Sequence, residues 1–213
     1  LFPTRCYGCN AIGISICSNC RREWHPHYYL THIQGLRINS AVLYSPTASK
    51  IILAAKERGL KGADELIIEA IVHVLSRANF DKYNVRLVPI PSSAINKRRR
   101  GRSFIPDICN EISERTSIPV TPALTILRKV KDQSTLSAKA RANNMRGAFG
   151  IAENIYPRGD LILIDDVVTT GATVSEAARA LNSHGFAVMG SVTACVITSN
   201  FNMRSAFEPQ SLR

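Results

Sequence analysis

Four aliphatic residues, Leu161-Ile-Leu-Ile164, run directly into two carboxylates, Asp165 and Asp166, and then into Val167-Val-Thr-Thr-Gly-Ala-Thr173. The aliphatic run reads as a buried strand that delivers both carboxylates to its C-terminal edge, where open α/β sheets bind ligands. A loop of small and hydroxyl residues follows, and then a helix from Val174 to Ser183 that Gly185 stops. Gly171 lets backbone approach a ligand closely, and Thr169, Thr170 and Thr173 bring hydroxyls. The loop amides precede a helix N-terminus, whose dipole favours an anion. Carboxylates that accept from sugar hydroxyls, beside an anion-binding turn, suit a phosphate next to a diol.

A magnesium-holding strand of a P-loop ATPase would share the aliphatic-Asp-Asp pattern. It would also need an upstream Gly-x-x-x-x-Gly-Lys-Ser/Thr loop, and the dipeptide Gly-Lys occurs nowhere in the chain. A strand that ends in Asp-Asp by accident would not be followed by Thr-Thr-Gly-x-Thr.

The rest of the chain alternates strand and helix. Ala41 to Tyr44 and Val85 to Ile90 read as strands, as do Leu124 to Leu127 and Ala187 to Ile197. Pro46 opens a helix that ends at Gly59. From Asp64 to about Arg77, Leu66, Ile67, Ala70, Ile71, Val74 and Leu75 form one helical face, and Phe104 to Glu114 form another. The alternation predicts an α/β fold, a parallel sheet with helices on both faces.

Four of the six cysteines stand as two Cys-x-x-Cys pairs, Cys6/Cys9 and Cys17/Cys20. Such turns converge thiolates on one ion, and two of them supply the tetrahedral sulfur set that Zn²⁺ prefers. Four thiolates leave no open position, so the zinc is expected to be structural. Gly8 eases the first turn, and His25 and His27 stand near enough to be alternative ligands. A module of ~25 residues cannot fold on burial alone, and zinc binding supplies roughly 10–16 kcal/mol in comparable peptides. Cys109 and Cys195, far apart among apolar neighbours, read as core thiols.

No stretch reaches the ~18 apolar residues of a membrane span, and the opening Leu-Phe-Pro-Thr-Arg-Cys has no apolar run of a secretory leader. The expectation is a cytoplasmic protein. Its formal charge of +11 is concentrated: Lys97-Arg-Arg-Arg-Gly-Arg102 carries +5, as does the segment from Arg128 to Arg146, leaving +1 for everything else. The polar stretch Asp132 to Asn144 has the composition of a lid.

The 165–173 segment resembles the phosphoribosyl diphosphate loop of type I phosphoribosyltransferases, and the amino-terminal double Cys-x-x-Cys narrows the resemblance to the ComF family. Tyr44, Lys56-x-x-Gly59 and Val88-Pro-Ile-Pro91 are similar to family positions. So are Arg128, Gln133, Leu136-Ser137, Arg141, Asn144 and Gly147-Ala-Phe149. One departure is the run Arg100-Gly-Arg-Ser-Phe104, where family members commonly have Arg-Gly-Phe/Tyr-Asn.

The resemblance implies a type I phosphoribosyltransferase-like sheet preceded by a small four-Cys zinc ribbon. It divides the chain into a zinc-ribbon module (1–35), a helical connecting or hood segment (36–80), a phosphoribosyltransferase-like domain (81–198) and a loose tail (199–213). It also implies that Mg²⁺-phosphoribosyl diphosphate is held by Asp165, Asp166, Val167, Val168, Thr169, Thr170, Gly171, Ala172 and Thr173, with Pro91 and Ser92 at the diphosphate. Arg100, Lys131 and Arg141 would steady the leaving group as a nitrogen nucleophile displaces diphosphate. Two alternatives stand beside this transferase: a single-stranded DNA-binding component of the competence machinery, and a sensor that binds phosphoribosyl diphosphate without turning it over. Aromatic residues are scarce in the basic segments, so no base-stacking platform is visible there.

Overall fold

The computed structural model describes residues 3–81, 83–128, 138–156 and 158–197. Its main sheet has five strands in the order β1-β2-β7-β6-β3: β1 (Tyr29–Ile33), β2 (Leu36–Leu43), β3 (Val85–Pro89), β6 (Asp160–Val168) and β7 (Ala187–Val196). Strands β2, β7, β6 and β3 are parallel, as expected from the strand and helix alternation. Strand β1 is antiparallel to β2, which makes the sheet mixed. The two are joined by Gln34-Gly35, both at positive φ (51° and 81°), the backbone of a two-residue hairpin turn. A second, two-stranded sheet pairs β4 (Leu124–Ile126) with β5 (Phe149–Ile151).

Helices cover both faces. On one side α2 (Pro46–Lys56), α3 (Lys61–Arg77) and α5 (Phe104–Thr116) bury Ile51, Ile67, Ile71, Ile108 and Ile112 against Ile162, Ile164 and Val192. On the other, α7 (Ala172–Asn182) buries Val174, Ala177 and Leu181 against Ile38, Leu161 and Leu163. Consecutive strand residues point to opposite faces, so one aliphatic run feeds both cores. Three shorter helices complete the described structure: α1 (Ser18–Glu23), α4 (Ala94–Arg100) and α6 (Ala138–Met145).

The four-Cys module is packed into the first core. Cys6, Cys20 and Trp24 are buried with α2 and α3, and the Trp24 indole Nε1 donates to the Leu66 carbonyl oxygen at 3.1 Å. No helix among the described residues is long and apolar enough to cross a membrane.

Candidate functional site

The parallel strands bring two loop ends to one sheet edge. Register pairs Pro89 with Ile164, and the Ile90 amide donates to the Ile164 carbonyl at 3.0 Å. The Pro91-Ser92 turn therefore leaves the sheet beside Asp165 and Asp166. Ser93 then caps α4, its Oγ accepting from the Asn96 amide at 3.3 Å.

Strand β6 continues past the aliphatic run to Val168, so both carboxylates lie within it. Asp166 is buried and bonded: the Lys56 Nζ, at the last turn of α2, lies 2.5 Å from its Oδ2, and the Val167 amide donates to its Oδ1 at 3.1 Å. Burial opposes ionisation of Asp166, but the Lys56 ammonium outweighs it and holds the carboxyl below its ordinary range. Burial likewise disfavours the Lys56 charge, and the Asp166 and Asp165 carboxylates more than restore it.

Asp165 is in a different position. It is half-buried, its Oδ1 accepts from the Asp166 amide at 2.9 Å, and no basic side chain is bonded to it among the described residues. Burial and the neighbouring Asp166 charge push its carboxyl well above the ordinary value. In register it stands across from Thr193, which stands across from Ser40, and the Ser40 and Thr193 hydroxyls are 2.8 Å apart. A polar row thus crosses three strands and ends at Asp165.

The loop after β6 behaves as its residue types require. Val168 is core and Val167 packs against the α2/α3/α5 core, so they can offer a ligand only backbone. Gly171 has φ 76° and begins α7, and a Cβ there would come within 2.6 Å of Ile33 on β1. Glycine is needed for the left-handed turn and for that approach. Ala172 and Thr173 form the first turn of α7, where amides lack intrahelical partners.

The first basic run is largely committed to the protein. Arg100 donates to Glu57 Oε1 through Nε (3.0 Å) and Nη2 (2.6 Å), and Arg99 reaches Glu57 Oε2 at 2.9 Å. Arg102, the residue at the departure from the family pattern, forms two 2.7 Å bonds to the buried Asp64 and lies 4.9 Å over the Phe104 ring. Lys97 and Arg98 are exposed and have no carboxylate partner among the described residues. In the second run, Arg128 donates to the carbonyls of Asn144 and Arg146. Lys131 lies outside the described residues, as do residues 132–137 of the stretch expected to form a lid, whereas residues 138–144 of that stretch lie in α6. Arg141 is on α6, with its side chain outside the described part.

Lys56 stands at a position that resembles the family's middle segment, but its pairing with Asp166 is not visible in the sequence. As the last residue of a helix it reads as a cation facing the helix dipole, and only the fold turns it toward Asp166. Its neighbour Glu57, the C-cap of α2, takes Arg100, so two adjacent residues where α2 ends hold the end of β6 and the end of α4.

At the amino terminus the four Sγ atoms lie within 4.8 Å of one another, and Cys9 Sγ is 3.7 Å from Cys17 Sγ. A tetrahedron with Zn–S bonds of 2.3 Å has edges of about 3.8 Å, so the donor set fits zinc. The Cys17 amide donates to Cys6 Sγ at 3.3 Å. Burial would raise the Cys6 thiol, but amides of Cys9, Cys17 and Gly8 bring it down to about 6. Gly8 is needed for room: a Cβ would meet Cys20 Sγ at 2.6 Å and Thr47 Cγ2 at 2.8 Å. His25 and His27 pack edge to face on each other, 5.2 Å between centroids, outside the thiol group.

Residues 59–210 match the Phosphoribosyl transferase domain family. Competence protein F of Haemophilus influenzae is 33% identical over 104 residues, 46% of this chain and 44% of that protein. The DNA utilization protein YhgH of Escherichia coli K12 is 32% identical over 105 residues, 49% of this chain and 46% of that protein. The matches therefore span less than half the length of these relatives. Among solved structures, orotate phosphoribosyltransferase from Aeropyrum pernix aligns over 66% of this chain and 63% of its own, with TM-score 0.41 and 14% identity. With a four-thiol cluster at its amino terminus and competence protein F among its relatives, the chain belongs to the Phosphoribosyl transferase domain family.

Proposed function

We propose that the protein binds phosphoribosyl diphosphate with Mg²⁺ at the sheet edge formed by residues 90–93 and 165–173, and transfers its phosphoribosyl group to a nitrogen nucleophile. The observation that carries this reading is the division of labour between the two carboxylates. Asp166 is neutralised by Lys56, whereas Asp165 stands without a basic partner among the described residues, next to the Gly171 turn. Asp165 accepts from the ribose hydroxyls, and the amides that open α7 take the 5-phosphate. Pro91 and Ser92 present backbone to the diphosphate. Val167 and Val168 contribute backbone alone, and Thr169, Thr170, Ala172 and Thr173 complete the wall.

The donors here are oxygens, the ligand type that Mg²⁺ prefers, with Asp165 as the carboxylate available to it. Bound there, Mg²⁺ supplies positive charge against the diphosphate as it leaves. Arg100, fixed by Glu57 close to Lys56, adds a cation whose position is set before substrate arrives, and Lys131 and Arg141 add others from the second basic run. Stabilising charge that develops only as the bond breaks raises the rate rather than tightening the ground state. The four thiols hold a structural zinc.

A direct test is equilibrium dialysis with labelled phosphoribosyl diphosphate, with and without Mg²⁺, followed by an assay for diphosphate release with a panel of nitrogen bases. Magnesium-dependent retention supports the site; retention indifferent to Mg²⁺ contradicts it. Retention without release under any base supports the sensor reading. A DNA-handling role is favoured by the exposed Lys97 and Arg98 and by the names of the curated relatives. Its test is single-stranded DNA binding that falls steeply with salt and weakens in Lys97→Ala/Arg98→Ala.

A further inference from the structure

A second cleft lies toward the opposite end of the same strands. Its volume is about 340 Å³, and Arg86, Thr121, Asn154, Tyr156 and Arg158 line it above a floor of Leu161 and Phe186. Leu161 is four residues before Asp165 on β6, roughly 13 Å along the strand. The cleft is thus separate from the edge assigned to phosphoribosyl diphosphate, and the inference drawn from it does not depend on that assignment.

Two guanidiniums line this cleft, and neither is bonded to a carboxylate among the described residues. The nearby Asp160 carboxylate accepts instead from the Asn84 side chain at 3.2 Å. Tyr156 is 71% exposed, so a ring face is open to stacking, while Leu161 and Phe186 are buried and give an apolar floor. Thr121 and Asn154 add a hydroxyl and an amide. Asn154 is held at φ 58°, and Gly159 lies so close to the Asn84 carbonyl that no side chain would fit there. The turn that carries Arg158 is therefore built onto the start of β3.

We infer that this cleft is a binding site for a nucleoside monophosphate. The Arg86 and Arg158 guanidiniums that line the cleft take the phosphate, the Tyr156 ring stacks on the base, and Thr121 and Asn154 read hydroxyls or base edges. The volume is at the small end of the ~300–1,000 Å³ of ligand pockets, which suits one nucleotide rather than two.

The test is calorimetry of adenosine 5′-monophosphate and of inorganic phosphate on the full chain, with amide NMR to locate the ligand. The nucleotide should bind more tightly than phosphate and shift the amides of Arg86, Thr121, Asn154 and Phe186. Arg158→Ala, at an exposed position, should weaken it roughly ten-fold or more. Tyr156→Ala should reduce the preference over phosphate, and Asp165→Asn should leave the nucleotide-induced shifts of the Arg86, Thr121, Asn154 and Phe186 amides unchanged. Binding lost in Asp165→Asn but kept in Arg158→Ala would put the nucleotide at the phosphoribosyl edge and overturn the inference. So would no nucleotide binding, or phosphate binding equally tightly.

Discussion

The Lys56 Nζ lies 2.5 Å from Asp166 Oδ2, joining the last turn of α2 to the strand that carries the Asp-Asp pair. The two residues are 110 apart in sequence. The bond makes the two carboxylates unequal: Asp166 is compensated within the protein, and Asp165 has no basic partner among the described residues.

Removing Lys56 strands a buried carboxylate. Lys56→Met should lower stability by about 3 kcal/mol, the low end for breaking a buried pair because the ammonium is 24% exposed. Adding Asp166→Asn should recover much of that loss. A double-mutant cycle in urea measures the coupling, and additive effects would contradict the pairing.

Asp165 and Asp166 should respond to pH in opposite directions. The folded Asp165 carboxyl holds its proton above the ordinary range, so its ionisation costs stability as pH rises from the unfolded value through the folded one. Asp165→Asn should therefore stabilise the protein near neutrality and lose that advantage in acid, below ~3.9. The Asp166 contribution is present above its unfolded value and is lost as pH falls through its lowered folded value. Melting curves of the single variants across pH will show the two signs.

Two glycines at similar φ separate backbone strain from contact. Gly59 (φ 62°) has open space around its missing Cβ, whereas Gly171 (φ 76°) faces Ile33 at 2.6 Å. Gly59→Ala should cost about 1–2 kcal/mol from backbone alone. Gly171→Ala should cost more and should also weaken ligand binding, as read by paired denaturation and dialysis. Equal costs would show that the Ile33 contact is unimportant.

Metal removal should expose four thiols and no more. Chelation should release one zinc per chain and make Cys6, Cys9, Cys17 and Cys20 reactive to maleimide. Cys109 and Cys195 should stay silent, since both are buried, with the Cys195 thiol pushed up to about 12 chiefly by burial and the Cys109 thiol also raised. Because Trp24 shares a core with Cys6 and Cys20, its fluorescence should follow the metal.

What the chain displays locally was readable before the fold. The run from Leu161 to Thr173 gives strand, carboxylates, loop and helix through contiguous chemistry, and the thiol spacing gives the four-Cys cluster. What depends on distant partners was not. Lys56 acquires its role from Asp166, and Arg102 leaves the basic run to pair with Asp64. Gly8 serves Cys20 and Thr47 rather than its own backbone angle. The β1–β2 hairpin carries a local signal, Gln34-Gly35 between apolar stretches. The net charge reads differently as well: three of the five cations in 97–102 neutralise Glu57 and Asp64, so a phosphate clamp there rests on Lys97, Arg98 and the position of Arg100.

The most direct measurement is calorimetric titration of phosphoribosyl diphosphate with Mg²⁺ into the wild-type chain and into folded Asp165→Asn. Binding should be magnesium-dependent in the wild type and absent in the variant, although the variant is the more stable protein near neutral pH. Undiminished binding to Asp165→Asn would contradict the role proposed for Asp165.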